Sequence, residues 1–291
     1  MLDGLIFFLV QVLNGIQYGL LLFLVASGLT LVFGIIGIIN LAHGSFYMVG
    51  AYLAFSLVRA TGTLWLALLI GLPLAMMLGV ALELAFFRPL YRRDHLYQVL
   101  LTYGLILVLE ETRSILFGDD VHGVQIPALF DFSIPLSSGL TYPVYRFVIS
   151  AICLLVALGM YLVIQRTRLG MAIRAGASDR EMLQSLGIDA GLLFRFVLAA
   201  GVTLAAFAGM IAAPVASVFP GMGNQILIVS FVVVVIGGIG SIKGAFIASL
   251  LIGLVDTFGQ IWAPQIAGMT VYVLMAAILL WKPAGLFGKR A

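Results

Sequence analysis

The chain has 291 residues, of which 63% are hydrophobic and only 9% charged, with a net charge of +3. Soluble domains carry about 25% charged residues, so this composition excludes an ordinary soluble enzyme, and so small and dispersed a positive balance gives no footprint for nucleic acid. The single cysteine, Cys153, lies in an apolar run with no partner for an intrachain disulfide and reads as a small buried hydrophobe.

Several apolar runs exceed the roughly 18 residues that indicate a membrane span. The expected fold is all-α: a polytopic integral membrane bundle of about 8–10 transmembrane segments, one domain over residues 1–291. The start, Met1-Leu2-Asp3, has no basic n-region and reads as a retained first span.

In chain order, residues 5–33 form the first apolar segment. Its Gly15 and Gly19 make a small-xxx-small pair suited to close helix approach. Residues 34–44, GIIGIINLAHG, interrupt the pattern with three glycines, Asn40 and His43. Backbone that unwinds at membrane depth persists only when buried in protein or facing a water-filled cavity. Residues 45–58 resume as a helix, and 63–87 form a further span with a kink expected at Pro73. The basic stretch 88–95 follows, then a span over 98–117 in which Glu110 and Arg113 can pair at i, i+3. Residues 119–142 are polar, with three aspartates and no lysine or arginine. A span over 144–165 leads into the second basic loop.

That loop, residues 166–190, is the longest polar interval in the chain. It carries Arg166, Arg168, Arg174 and Arg180 against Asp179, Glu181 and Asp189. Ser178 followed by Glu181 is a capping box for a helix start, and Gly187 suits a left-handed helix stop. Between them Met182, Leu183 and Leu186 share one face. From the residues alone, either a solvated loop or a docking helix fits. Segments at 192–218, 225–236, 245–262 and 266–281 complete nine, the second of them short, with a second glycine-rich break at 237–244, GGIGSIKG.

Cytoplasmic loops collect Lys and Arg. The basic loops 88–95 and 166–190 and the C-terminal Lys282, Lys289 and Arg290 therefore read as cytoplasmic, the acidic interval as external, and the N-terminus as external. The two breaks also echo each other. At an offset of 200, Val32, Ile36, Gly37, Ile39, Gly44 and Phe46 match Val232, Ile236, Gly237, Ile239, Gly244 and Phe246. Paired glycine-interrupted segments point to a transport pathway. Two separate helix contacts that need small residues explain them equally well.

Chemistry is sparse. His43, His95 and His122 are scattered without metal-ligand spacing, so no metal site is expected. No G-x-S-x-G and no phosphate-cradling loop occurs. Glu83 and Asp256 are acids inside apolar runs and are functional candidates by default. Glu83 is placed to pair near Arg88, and Asp256 to face a polar cavity. Asn40 and His43 can equally cap broken helix ends.

Three motifs in order resemble the permeases of branched-chain amino acid ABC importers. Asn40-Leu41-Ala42-His43-Gly44 looks like the family's Asn-x-Ala-His-Gly signature. Thr167, Gly170, Arg174 and Ala175, followed by Asp179, Gly187 and Ile188, look like its coupling loop. Residues 237–245 look like its second glycine-rich signature, with Lys243 where proline is common. The resemblance implies the shorter of two permease subunits in a bacterial inner membrane. It implies coupling to the ATPase through Arg174, Ser178, Asp179, Glu181, Met182, Leu183, Leu186 and Gly187. It also implies a translocation path along Asn40, His43, Gly44, Gly237, Gly240, Gly244 and Asp256. The expected partners are ABC ATPase subunits holding magnesium-ATP, a second permease subunit and a substrate-binding protein; this chain is expected to be no enzyme and to hold no cofactor. Urea or short-chain amides are alternative cargoes, and an ion-coupled secondary transporter is the rival class.

Overall fold

The computed structural model describes residues 2–91, 93–137, 140–178 and 187–288. Each of the nine apolar segments is one helix. In order they are α1 (Leu2–Ile36), α2 (His43–Thr61), α3 (Leu64–Leu82), α4 (His95–Phe117) and α5 (Val144–Arg166). After the short α6 (Arg168–Ser178) come α7 (Ala190–Ala216), α8 (Met222–Gly237), α9 (Ile242–Trp262) and α10 (Ala267–Trp281). Among the described residues, six helices are long and apolar enough to cross a membrane: α1, α3, α5, α7, α9 and α10. The two shortest of the nine are α8, with 16 residues, and α10, with 15.

Local chemistry sets the helix ends. Gly62 takes a left-handed conformation (φ 75°) and its amide closes α2 on Val58. Thr63 then accepts from the Leu66 amide to open α3. The α3 helix continues through a π-turn, Glu83–Phe87, and a short 3-10 turn, Arg88–Leu90. Pro89 supplies the reason, since it has no amide to donate and its ring crowds the carbonyl four residues back. The Asp189 carboxylate accepts from the amides of Gly191 and Leu192 at 2.8 and 3.2 Å and opens α7.

Two elements depart from the sequence reading. The acidic interval between α4 and α5 contains an antiparallel hairpin, β1 (Ser133–Ser137) with β2 (Leu140–Pro143), beside the all-α bundle. The loop after α5 is helical from its second residue, where no helix was expected before residue 178.

Small residues bring the central helices together. In membranes, close backbone approach substitutes for a hydrophobic driving force. Gly15 and Gly19 of α1 lie against Leu254 and Ser249–Leu250 of α9, so the pair does serve helix approach. Gly50 of α2 meets the Ala206 backbone of α7, and Gly79 of α3 meets Ala199. Around this centre, α4, α5 and α10 turn large apolar side chains outward, as at Leu100, Leu155 and Leu280, where lipid is the natural solvent.

These contacts define two ends. One end joins the close of α1 to the start of α9 (Gly34 against Gly240) and the close of α3 to the start of α7 (Glu83 with Arg195). Arg88, Arg93, Arg166, Arg168, Arg174, Arg195, Lys243 and Lys282 belong to it. The opposite end joins α1 to α5 (Asn14 with Arg146) and pairs His122 with Val218 in an isolated bridge. Its cations are Arg59, Arg113 and Arg146, and it carries Glu110, Glu111, Asp119, Asp120, Asp131 and Asp256.

Candidate functional site

The first break begins where Gly37, at φ 77°, ends α1 with its amide on the Phe33 carbonyl at 3.0 Å. Within residues 37–42, Ile38, Asn40 and Ala42 are buried. Asn40 accepts from the Ala42 amide at 3.1 Å through Oδ1, an Asx turn that leads into α2, whose own N-cap, Ala42, makes no side-chain bond. His43 is fully buried, with Nε2 2.9 Å from the Val25 carbonyl oxygen of α1. A carbonyl only accepts, so Nε2 carries the proton there. Val25 lies eleven residues before the end of α1, about 16 Å at the helical rise; α2 therefore starts part-way along α1. A Cβ on Gly44 would strike the Gly223 carbonyl at the start of α8. Two interrupted helices thus meet by their first turns inside the bundle. Asn40 Nδ2, His43 Nδ1, Thr30 Oγ1 and Ser230 Oγ are buried there and in the flanking helices with no protein partner among the described residues.

The second break uses the same devices at the basic end. Gly238 (φ 93°) closes α8 on Val234, and Gly240 (φ 77°) makes the turn. Ser241 accepts from the Gly244 amide at 3.1 Å and opens α9. Gly237 and Gly244 face each other so closely that neither tolerates a Cβ. The chain after α10 folds back here, with Leu286 and Phe287 amides on the carbonyls of Ile236 and Gly237. Unlike the first break, this one is open: Ile239 is 59% exposed. Phe33, Gly34, Ala177, Ile239, Gly240 and Phe287 border a cavity of about 580 Å3. A smaller adjoining one adds Arg174, Ser241 and Lys243.

The Thr167–Ala175 run builds a joint. Thr167 donates to the Val163 carbonyl at 2.6 Å and accepts from the Gly170 amide at 3.1 Å. Gly170 lies directly on the last carbonyls of α5, and Arg174 donates to the Ile164 carbonyl. The unpaired carbonyls that end any helix are thus covered by α6. Ser178 is the last described residue of α6. Asp179, Glu181, Met182, Leu183 and Leu186 lie outside the described residues. Gly187 has φ 79°, the left-handed geometry expected of it.

Asp256 stands apart from both breaks. It lies fourteen residues along α9 from Ile242, about 21 Å toward the acidic end at the helical rise. Its carboxylate accepts from Gln260 at 2.7 Å, and it lines a cavity of about 420 Å3. The seven path residues therefore occupy three places: Asn40, His43 and Gly44 inside, Gly237, Gly240 and Gly244 at the basic end, and Asp256 at the acidic end. Glu83 is fully buried; its ion pair is with Arg195 of α7 at 3.1 Å, not with Arg88, while Tyr91 of the 88–95 stretch donates to its other oxygen at 3.2 Å. The expected Glu110–Arg113 pair forms at 3.5 Å, and Arg113 also reaches Asp119 at 2.8 Å. The Arg113 hydrogen bond holds the Asp119 carboxyl below its ordinary value. The sequence reading passed over Arg195 and Arg146 because both sit inside segments taken as plain spans. Their signal was available: an arginine within an apolar run needs a partner.

The chain matches the model of a family described as branched-chain amino acid transport system, permease component, over residues 11–281. It is 32% identical over 300 residues to the high-affinity branched-chain amino acid transport system permease protein BraD of Pseudomonas aeruginosa, covering 97% of this chain and 96% of that one. It is 30% identical over 306 residues to the corresponding permease LivH of Escherichia coli K12, covering 99% and 98%. A probable branched-chain amino acid transport permease, LivH of Methanocaldococcus jannaschii, is 28% identical over 301 residues, covering 96% and 92%. No solved structure matches the chain.

Proposed function

Since this chain belongs to the branched-chain amino acid transport permease family, we propose that it is the membrane-spanning subunit of an ATP-driven importer for branched-chain or related amino acids. The observation that carries this reading is the family match across residues 11–281. The protein is a multi-pass inner-membrane protein. Its basic end faces the cytoplasm, following the distribution of arginine and lysine. ATP is hydrolysed on separate ATPase subunits, and a second permease subunit and an external binding protein complete the machine.

The geometry supports a division of labour. The α6 helix is fastened to the end of α5 by Thr167, Gly170 and Arg174, and Ala177 borders the same cavity as Gly240. A push on the loop 166–190 therefore arrives at the second break and, through Gly34, at the end of α1. By their spacing in the sequence, Met182, Leu183 and Leu186 are the residues expected to press on the ATPase, as short amphipathic helices press into grooves.

The test is reconstitution of the complete complex in vesicles. Saturable, ATP-dependent uptake of leucine, isoleucine or valine is expected, with no flux from this chain alone. Ion-driven flux by the chain without an ATPase would overturn the reading, and uptake of urea or acetamide in place of amino acids would change the cargo. Co-purification of the ATPase should be lost in Leu183→Asp, which places a charge in an apolar contact.

A further inference from the structure

We infer that the polar groove where α1, α5 and α9 meet at the acidic end is a transit site for the zwitterionic head of an α-amino acid, with Arg146 and Asp256 as its two poles. This rests on the amino acid import proposed above. Gly15 and Gly19 draw α1 onto α9 so tightly that Gly253 has no room for a Cβ. That approach sets two polar stripes side by side. Gln11, Asn14 and Tyr18 recur at helical spacing on α1, and Asp256 and Gln260 at i, i+4 on α9. Arg146, in the first turn of α5, closes the third side. All six border the one cavity of about 420 Å3.

The two charges sit in this groove without pairing to each other. The three ion pairs among the described residues lie elsewhere. Arg146 Nη1 instead donates to Asn14 Oδ1 at 2.6 Å, and Asn14 Nδ2 to Gln11 Oε1 at 3.1 Å. Asp256 accepts from Gln260 at 2.7 Å. Each pole is thus steadied by a neutral amide and keeps capacity for a ligand, since a guanidinium has five donors and a carboxylate about four lone-pair sites. An α-amino acid presents the complementary pair. Its carboxylate fits the guanidinium fork, and its ammonium fits Asp256. A neutral cargo such as urea has no use for two opposite poles. A groove with one charge of each sign also holds a zwitterion without net attraction for ions. Weak holding suits a transit site, since conduction requires that the cargo leave.

The experiment uses the complete reconstituted importer with Arg146→Gln, Arg146→Lys and Asp256→Asn. It reads complex assembly, ATPase stimulation by the loaded binding protein, and uptake of labelled leucine. Losing one charge-assisted contact should slow uptake roughly ten- to a hundredfold in Arg146→Gln and Asp256→Asn. Assembly and stimulation should stay normal, and Arg146→Lys, which keeps the charge but not the fork, should fall between Arg146→Gln and wild type. Normal uptake in both neutralised variants overturns the site while leaving the import reading intact. Loss of assembly would instead make the groove a contact with the second permease, and loss of stimulation a dock for the binding protein; either result overturns the proposal. A wild-type complex that imports no amino acid removes the import reading, and this inference with it.

Discussion

The two glycine breaks share a pattern and differ in depth. Each ends a helix with a left-handed glycine, Gly37 or Gly238, whose amide returns to the residue four before it. Each leads into the next helix with a side chain that accepts a backbone amide, Asn40 in the turn before α2 and Ser241 as the N-cap of α9. Yet the first break is enclosed by α1, α7 and α8, while the second lies at the basic end beside α6 and the returning C-terminal chain. In the enclosed break every polar group must find a protein partner or go without. In the open break water can stand in. The difference separates a fixed interior crossing from a joint that the cytoplasmic loop can move.

The largest effect expected from this contrast is at Gly44. An added methyl collides with the Gly223 carbonyl and approaches Leu227 Cβ to 2.6 Å, and neither is the free end of a flexible side chain. Overpacking of this kind costs about 1–3 kcal/mol or more. Gly44→Ala should lower the melting temperature of the purified protein and its yield, with transport falling in step. A stable, transport-dead Gly44→Ala would instead give Gly44 a part in the path beyond packing.

Next comes Asn40→Ala. The loss leaves the Ala42 amide without its side-chain partner in a dry interior, so the cost should be about 2 kcal/mol, the penalty of an unsatisfied buried donor. Thermal unfolding in detergent measures it. A cost no greater than that of a surface cap would mean that water reaches residue 40, and the contrast in depth would fail. Gly240→Ala should follow at about 1–2 kcal/mol, the penalty of a left-handed backbone for a residue with a side chain. Its added Cβ meets only Gly34 Cα at 3.4 Å, so strain and not collision sets the cost. Folded protein with slowed uptake is the expected outcome, because the turn lies between α6 and the end of α1.

Much of this was legible in the sequence because hydrocarbon length is a blunt signal. Nine apolar runs became nine helices, and both breaks fell where glycine clustered. The π-turn at Glu83–Phe87 was not legible, although Pro89 was its cause, since one proline says that a helix is disturbed without saying how. Glu83 found Arg195, more than a hundred residues away, and no local spacing could choose it over Arg88. The joint between α5 and α6 was read as motif residues, but its purpose, covering the last carbonyls of α5, needed the fold. How the seven path residues lie relative to one another was not legible either. Sequence places residues along helices, and the path members sit at three depths.

The smallest effect, and the sharpest test of the contrast, is Ser241→Ala. This cap is made by the same type of bond as Asn40 makes, 3.1 Å in each case. It sits at the mouth of the basic-end cavities, where water can solvate the freed Gly244 amide. Its removal should therefore cost about 0.5–1 kcal/mol, the low end for caps. Additivity gives a further handle. Sites that share no partner add within about 0.3–0.5 kcal/mol, whereas neighbours couple. Asn40→Ala with Ser241→Ala should add if the breaks are separate. They are linked, however, by Gly34 against Gly240 at the close of α1, and Asn40 lies in the turn that follows that close. A double variant more than about 1 kcal/mol away from the sum of the singles would show the two breaks moving as one element. Strict additivity would leave the interior crossing as a fixed support around which only the second break shifts.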